Sequence, residues 1–547
     1  MFHALARLRT PAHPCSVPVM NRLQVICLAI ALLALICSAS AHNSGFDPKE
    51  VDPTLARGEA GKVYENAHHD HSILASQAGA DVAAKPGDAA RRRKLDKYYP
   101  IDVTPRHKWT EEEANKFFGH PSIKDKLEVQ EFRKFLVDNG FHASKLELRW
   151  APECGFHLIV TEPANALEEM MSVPENMFFH IYNRNLLDRT KFFIRRIHEY
   201  FFGPGIESEI DDLARVSMIV AILSEVRDSE SYWRPYWKVL PKPTLPFMLT
   251  PEEAAKLELG RPVDFIINSR QRLLEDLARI AQAPEFEWLA KEFDESQGGL
   301  MNWAVAIIGS RTFSWGLGKF GNHLVMMPAL DFINHNSDVP NQYEYTENQD
   351  LRYIVPHNVQ PGEEVTIAYY PHAPNFYLFI EYGFVLSRNP QDHLLLEIDP
   401  LLTHKLYQNA FDLPKRIVVG YDDHIPYKFV RAINLAVLGD EDRVTMAAYN
   451  YLVEQLEGQL KNYTTTFEQD EAALSSKDLS PKDRLVISMR LECKRLLLDA
   501  IKTVKSDAEA FSTRGMDAVI AFNSARQPSD VYLDEPLRVV TLTKPSA

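Results

Sequence analysis

Four short clusters of chemically capable side chains fall within about eighty residues of one another. They are Ser310-Arg311-Thr312-Phe313, Asp331-Phe332-Ile333-Asn334-His335-Asn336-Ser337, Gly362-Glu363-Glu364-Val365-Thr366-Ile367-Ala368-Tyr369 and Glu381-Tyr382-Gly383-Phe384-Val385. Each has a plain structural reading on its own. An Asn-His pair in a loop commonly makes a turn, and a tyrosine closing a strand commonly packs in a core. Arg311 pairs with a carboxylate as readily as with a ligand, and Asp331 suits a turn as readily as a site. Together they offer tyrosine hydroxyls, an imidazole, an amide and a guanidinium. Groups of that kind position a reactant and support developing charge through hydrogen bonds.

In this order and spacing the chain resembles the SET-domain family of protein methyltransferases, in the branch of the Rubisco large-subunit lysine methyltransferase. That branch shows an SR-x-F element, a D-x-x-NH-S element, a G-E-E-V strand ending in Tyr, and a YGF element thirteen residues beyond that Tyr. Here Tyr382 follows Tyr369 by thirteen residues. Ile222 to Pro241 (ILSEVRDSESYWRPYWKVLP) is similar to the branch's helical insert. Asn450 to Ala500, with Tyr463-Thr464-Thr465-Thr466 and SPKDRL, is similar to its C-terminal substrate-binding domain. The resemblance runs over roughly Leu146 to Tyr532. It implies an α+β chain: a β-rich SET domain over 107–398 with a helical insert at about 200–302, then an all-helical domain over 399–532.

The activity it implies is lysine N-methylation of another protein, with S-adenosylmethionine as cofactor. No cysteine-rich zinc cluster follows Phe384, so a non-histone substrate is expected, chosen by the insert and the C-terminal domain. A lysine must be neutral to attack the sulfonium methyl. A second positive charge and an apolar channel both lower its pKa, so no strong base is needed. By resemblance Tyr369 is the catalytic tyrosine, and Asn334 and His335 hold the cofactor in a threaded loop. Gly155, Phe156 and Tyr382 line the same pocket, while Arg311 and Asp331 match substrate or cofactor contacts. Two positions depart from the family pattern. His157 stands at the second glycine of a glycine-x-glycine turn, and Tyr370 follows the catalytic tyrosine where glycine is usual; side chains there are expected to crowd the cofactor. These departures keep open a catalytically inactive SET-like binding scaffold. A related branch that methylates histidine keeps the acceptor open, with Tyr382 favouring lysine.

The elements that must position these groups are partly readable. Val129 to Gly140 has helical spacing and ends in Asn139-Gly140, a left-handed stop. Lys145 to Trp150 alternates as a half-buried strand does. Helical periodicity returns at Arg195–Phe202, Asp212–Glu225 and Phe265–Ile280, the last as one helix with Ile266, Leu273, Leu274, Leu277 and Ile280 on a face. Strands are expected at Arg352–Val355 and Val365–Tyr370, around a Pro361-Gly362 turn. Ser480-Pro481-Lys482-Asp483 reads as a helix start, with Ser480 as N-cap, before the apolar face Val486, Met489, Cys493, Leu496, Ala500.

The 547 residues are 45% hydrophobic and 25% charged, ordinary for globular units with a sizeable core. A formal net charge of -15 repels a phosphate backbone, so nucleic acid is not expected as a partner. Leu23 to Ile36 is a short apolar run after Arg22, followed by Ala39-Ser40-Ala41. This reads as a signal peptide over 1–41 and entry to the secretory pathway, with a membrane contact only if it stays uncleaved. Residues 42–106 read as a disordered linker or pro-segment, with His68-His69-Asp70-His71 as a solvated polar run and Arg91-Arg92-Arg93-Lys94 as either a processing site or solvated charge. Beyond the leader only Cys154 and Cys493 remain, which excludes a disulfide framework and a four-cysteine zinc site; two free thiols and no metal are expected. Asn462-Tyr463-Thr464 is a sequon consistent with that route.

Overall fold

The computed structural model describes residues 109–545, apart from 153, 202–209, 260–262, 317–321, 338, 340–342, 347–349, 371, 405, 407–412, 440–441 and 521–536. The expected signal peptide, the 42–106 linker and the two charged runs within it lie outside the described residues.

The N-terminal part is helical before it is extended. Helix α1 (Glu111–Phe117) starts at a capping box in which Thr110 Oγ1 accepts from the Glu113 N–H and the Glu113 carboxylate accepts from the Thr110 N–H. Helix α2 (Leu127–Asp138) buries Val129, Phe132, Phe135 and Leu136 and stops where Gly140 turns left-handed at φ 81°. Strands β1 (His142–Ala143), β2 (Leu146–Ala151), β3 (Gly155–Val160) and β4 (Glu169–Val173) follow.

Among the described residues seven α-helices then cover the insert: α3 (Asp188–Phe201), α4 (Ile210–Val226), α5 (Arg234–Val239), α6 (Pro251–Ala255), α7 (Val263–Ile267), α8 (Gln271–Ile280) and α9 (Met301–Arg311). The single helix expected over Phe265–Ile280 is two. Ile266 faces one hydrophobic core, whereas Leu273, Leu277 and Ile280 face another, so the chain breaks between them.

Short strands resume with β5 (Phe313–Gly316), β6 (Asn322–Val325), β7 (Asn334–His335), β8 (Tyr343–Tyr345), β9 (Leu351–Ile354) and β10 (Thr366–Ile367). They make small sheets: β1-β4-β9-β8, the hairpins β2-β3 and β5-β6, and a parallel pair of β7 with β10. The strand expected over Val365–Tyr370 is shorter because the Tyr369 N–H leaves the ladder for the His335 imidazole.

Helix α10 (Asn375–Tyr382) and β11 (His393–Ile398) lead into the C-terminal unit. This unit contains β12 (Arg416–Gly420), α11 (Tyr427–Ile433), α12 (Met446–Lys461), α13 (Phe467–Leu474), α14 (Pro481–Arg514), α15 (Met516–Ile520) and β13 (Arg538–Leu542). It is mainly helical rather than all-helical as expected, because β12 falls within it and completes a sheet of order β12-β11-β13. That sheet forms because β11 (HLLLEI) is buried along nearly its whole length and takes a partner on each edge. Ser480 caps α14 by accepting from the Asp483 N–H, with Pro481 in the first turn, as its sequence indicates. Cys154 is exposed and Cys493 is buried in the α14 face, and neither is in a disulfide. Among the described residues no helix is long and apolar enough to cross a membrane.

Candidate active site

Backbone hydrogen bonds bring distant segments to one place. The Val160 N–H donates to the Glu363 carbonyl and the Val365 N–H to the Leu158 carbonyl, so β3 lies along the segment entering β10. Strand β10 then pairs with β7 in the register Asn334↔Thr366 and His335↔Ile367. Gly155 and Asn334, far apart in sequence, therefore border one cleft of about 840 Å³. Its walls include Gly155, Phe156, Arg311, Asn334, His335, Tyr369 and Tyr382, seven of the eight site residues expected from the sequence.

Tyr369 is fixed at both ends. Its N–H donates to His335 Nδ1 at 3.0 Å, and its hydroxyl donates to the Ile333 carbonyl at 2.9 Å. An Nδ1 that accepts carries no proton, and burial pushes the His335 pKa down to about 4, so the ring is neutral near pH 7. Its Nε2 lies 3.0 Å from Ser337 Oγ. Burial pushes the Tyr369 phenol up to about 12, leaving it a neutral dipole. The Tyr382 hydroxyl lies 3.5 Å from the Tyr369 carbonyl, and burial, reinforced by the Glu381 charge, keeps it protonated. Ring centroids of Tyr369 stand 4.9 Å from Tyr382, 5.2 Å from His335 and 6.2 Å from Phe384, giving an aromatic-walled end to the cleft.

Asn334 Nδ2 donates to Glu364 Oε1 at 2.8 Å, which ties β7 to the turn before β10. Phe156 stacks on Phe332 with centroids 4.8 Å apart. Arg311 reaches the cleft from the end of α9 and donates to the Asp331 carbonyl at 2.6 Å. Asp331 itself does not line the cleft. It is buried beneath Arg311, where its carboxylate accepts from Tyr236 at 2.7 Å and lies 3.3 Å from Arg311. Burial raises its pKa, with Arg311 pulling the other way. Asp331 thus sets the direction of Arg311 rather than facing a reactant.

The two departures do not crowd the cleft. In the β2-β3 pairing Trp150 opposes Phe156, and both line the cleft; Arg149 opposes His157, and neither does. His157 Nδ1 instead lies 3.2 Å from the Gly155 carbonyl. Tyr370 turns its ring onto Tyr377, with centroids 4.8 Å apart, and stays out of the wall. Gly155 has φ 72°, and a Cβ built there meets no atom within 4 Å, so its backbone opens onto free space. An open glycine turn, a neutral imidazole, aromatic faces and the Glu364 carboxylate make a donor set that fits a sulfonium cation. Tyr236, Glu364 and Phe384 were not singled out by residue from the sequence. The last two lie inside motifs it flagged, and Tyr236 lies in the YWRPYW stretch of the insert.

The chain is thus mixed α/β, with an aromatic-walled cleft and a helical C-terminal unit. Comparison with known proteins shows what the chain is similar to. Residues 414–497 match the family model described as Rubisco LSMT substrate-binding. The chain is 25% identical over 416 residues to the chloroplastic [fructose-bisphosphate aldolase]-lysine N-methyltransferase of Arabidopsis thaliana, covering 68% of this chain and 81% of that protein. It is 20% identical over 421 residues to the actin-histidine N-methyltransferase of Callithrix jacchus, covering 69% and 68%. A crystal structure of the SET domain of LSMT bound to methyllysine and AdoHcy aligns at 18% identity and TM-score 0.49, covering 74% of this chain and 98% of that one.

Proposed function

We propose that this chain is an S-adenosylmethionine-dependent protein methyltransferase whose acceptor is a lysine of a non-histone protein. The observation that carries this is the convergence of Tyr369, Tyr382, Asn334 and His335 on one cleft. S-adenosylmethionine would be held by Gly155, Phe156, Asn334 and His335, and when bound supplies an electrophilic methyl group. The neutral His335 adds no competing positive charge there. With its proton committed to Ile333, the Tyr369 oxygen keeps lone pairs for C–H···O contacts with a methyl carrying positive charge. The wall of Tyr369, Tyr382 and Phe384 desolvates an incoming ammonium, which lowers its pKa so that its proton passes to solvent at the cleft mouth and the nitrogen lone pair is left free. The Tyr382 hydroxyl oxygen is placed to accept from the amine and aim it. Arg311, directed by Asp331, is a cation for a carboxylate of cofactor or substrate.

The test is incubation of the full-length chain with cofactor labelled in its methyl group and cell lysate. Label should appear on protein lysine, and Tyr369→Phe should reduce it by about a hundredfold. Wild-type labelling no higher than that variant would end the enzyme reading. Failure to bind S-adenosylhomocysteine at millimolar concentration in calorimetry would favour a binding scaffold. Histidine is the second reading, supported by the match to an actin-histidine enzyme; mapping the labelled residue by mass spectrometry decides between them. In this reading the C-terminal unit that matches a substrate-binding family docks the acceptor protein. The Leu23–Ile36 run directs the chain to the secretory pathway, which the position of a fluorescently tagged full-length chain tests.

A further inference from the structure

The insert meets the helix carrying Tyr382 at a buried ion pair that the mechanism above leaves unused. Arg270 occupies the N-cap position of α8, in the break that separates α7 from α8. Its guanidinium donates to the carboxylate of Glu381, the residue directly before Tyr382. The two side chains are only 6% and 13% exposed.

Three walls of the cleft are referenced to this spot. Gly309 stands two residues before Arg311 on α9, and a Cβ there would lie 3.5 Å from Arg270 Nη2 and 3.6 Å from the Glu381 carbonyl. At Gly383, directly after Tyr382, a Cβ would lie 2.2 Å from the Thr244 carbonyl, so the 241–244 wall is pressed against the same turn. Helices α8 and α9 belong to the first core, and α7 and α10 to the second. Arg270 and Glu381 thus bridge the seam between the cores, beside the acceptor end of the cleft.

Stability is a weak reason for such a pair. Removing two charges from water offsets most of their attraction, and apolar residues of similar size often serve as well. What an ion pair adds is direction, because a planar guanidinium engages a carboxylate only at certain angles. We propose that Arg270 and Glu381 are positioning residues that hold Tyr382 in register with Arg311 and Tyr369. This rests on the methyltransferase reading and deepens it.

The experiment uses full-length chain with Arg270→Met and Glu381→Met combined, Arg270→Lys alone, and wild type. The measurements are Tm, S-adenosylhomocysteine affinity by calorimetry, and kcat and KM on the lysate protein that the wild type labels. The apolar double variant should keep its Tm and cofactor affinity, because the charges leave together. Its kcat should fall about tenfold to a hundredfold while KM for the acceptor barely moves, as a small misplacement of Tyr382 requires. Arg270→Lys keeps the charge without the fork and should lose kcat several-fold at unchanged cofactor affinity. Wild-type kcat per folded molecule in either variant overturns the proposal and leaves the pair a structural one. Should the double variant not fold, Arg270→Lys decides alone. A wild type that labels no protein lysine overturns the reading beneath; a wild type that labels lysine beside unimpaired variants overturns this inference only.

Discussion

The His335 ring does its work only while it lacks a second proton. In an unfolded chain a histidine takes that proton near pH 6.5, whereas burial here holds it off until about 4. The folded-state pKa is the lower one, so the stabilising contribution is complete above about 6.5 and is lost as pH falls towards 4. Protonation also removes the acceptor for the Tyr369 N–H and puts a cation in the cleft proposed to hold a sulfonium. Wild-type Tm should therefore fall between about pH 6.5 and 4, whereas S-adenosylmethionine affinity should hold until the folded ring titrates and weaken only near pH 4. His335→Gln should flatten both profiles; identical slopes in wild type and variant would remove the role assigned to this ring. At this scale the resemblance singles out Tyr369, Tyr382, Asn334 and His335, and the fold brings the four to one cleft. What misled was reading Gly155-Phe156-His157 as three neighbours in one turn. They belong to a strand, whose period of two sends Phe156 into the cleft and His157 to its other face. Asp331 was harder, because only Tyr236, 95 residues away, shows that it faces inward.

Elements whose ends are set by local chemistry were readable, and those set by distant partners were not. The start of α14 follows from Ser480 and Pro481, and the end of α2 from Gly140, each within a few residues. The break at Arg270 has only a weak local signal, the turn-favouring Asn268-Ser269. Apolar periodicity runs straight through it, and the interruption depends on two cores and on Glu381, 111 residues on. The end of α10 shows the two influences together. Gly383 takes φ 74°, and its N–H donates to the carbonyls of Leu378 and Phe379, a left-handed stop that the sequence announces. The close approach of Thr244 behind it is tertiary and unannounced. Gly383→Ala should therefore cost at least about 2 kcal/mol in urea unfolding, since backbone strain and a steric clash add. Gly155→Ala has the same strain without the clash, so it should cost only about 1–2 kcal/mol. Its backbone borders the cleft and would shift to relieve that strain, so cofactor affinity should fall more than stability does. Equal losses of stability in the two variants would show that the Thr244 contact yields easily.

At the scale of the whole molecule, a division near residue 398 looks natural from the sequence, yet the packing runs across it. Strand β11 ends at Ile398, and both of its partners, β12 and β13, come later in the chain. Helix α10, which carries Tyr382, buries Phe376, Phe379 and Ile380 in the second core, among Leu485, Val486, Met489 and Leu496 of α14. Those three side chains are each worth about 1.5–3 kcal/mol of burial, so removing the C-terminal unit forfeits about 5–9 kcal/mol from α10 alone. That approaches the 5–15 kcal/mol by which a whole domain is ordinarily stable. It also bares both edges of β11, which invites pairing between chains. A chain ended after Ile398 should therefore be recovered aggregated, or as a species that binds hydrophobic dye and no S-adenosylhomocysteine. One ended after Pro545 should be monodisperse and should bind it. Recovery of the shorter chain as a cooperatively melting, cofactor-binding monomer would show that the cleft stands without the second core. The C-terminal unit would then contribute docking alone, whereas the packing at α10 gives it a share in building the wall on which Tyr382 stands.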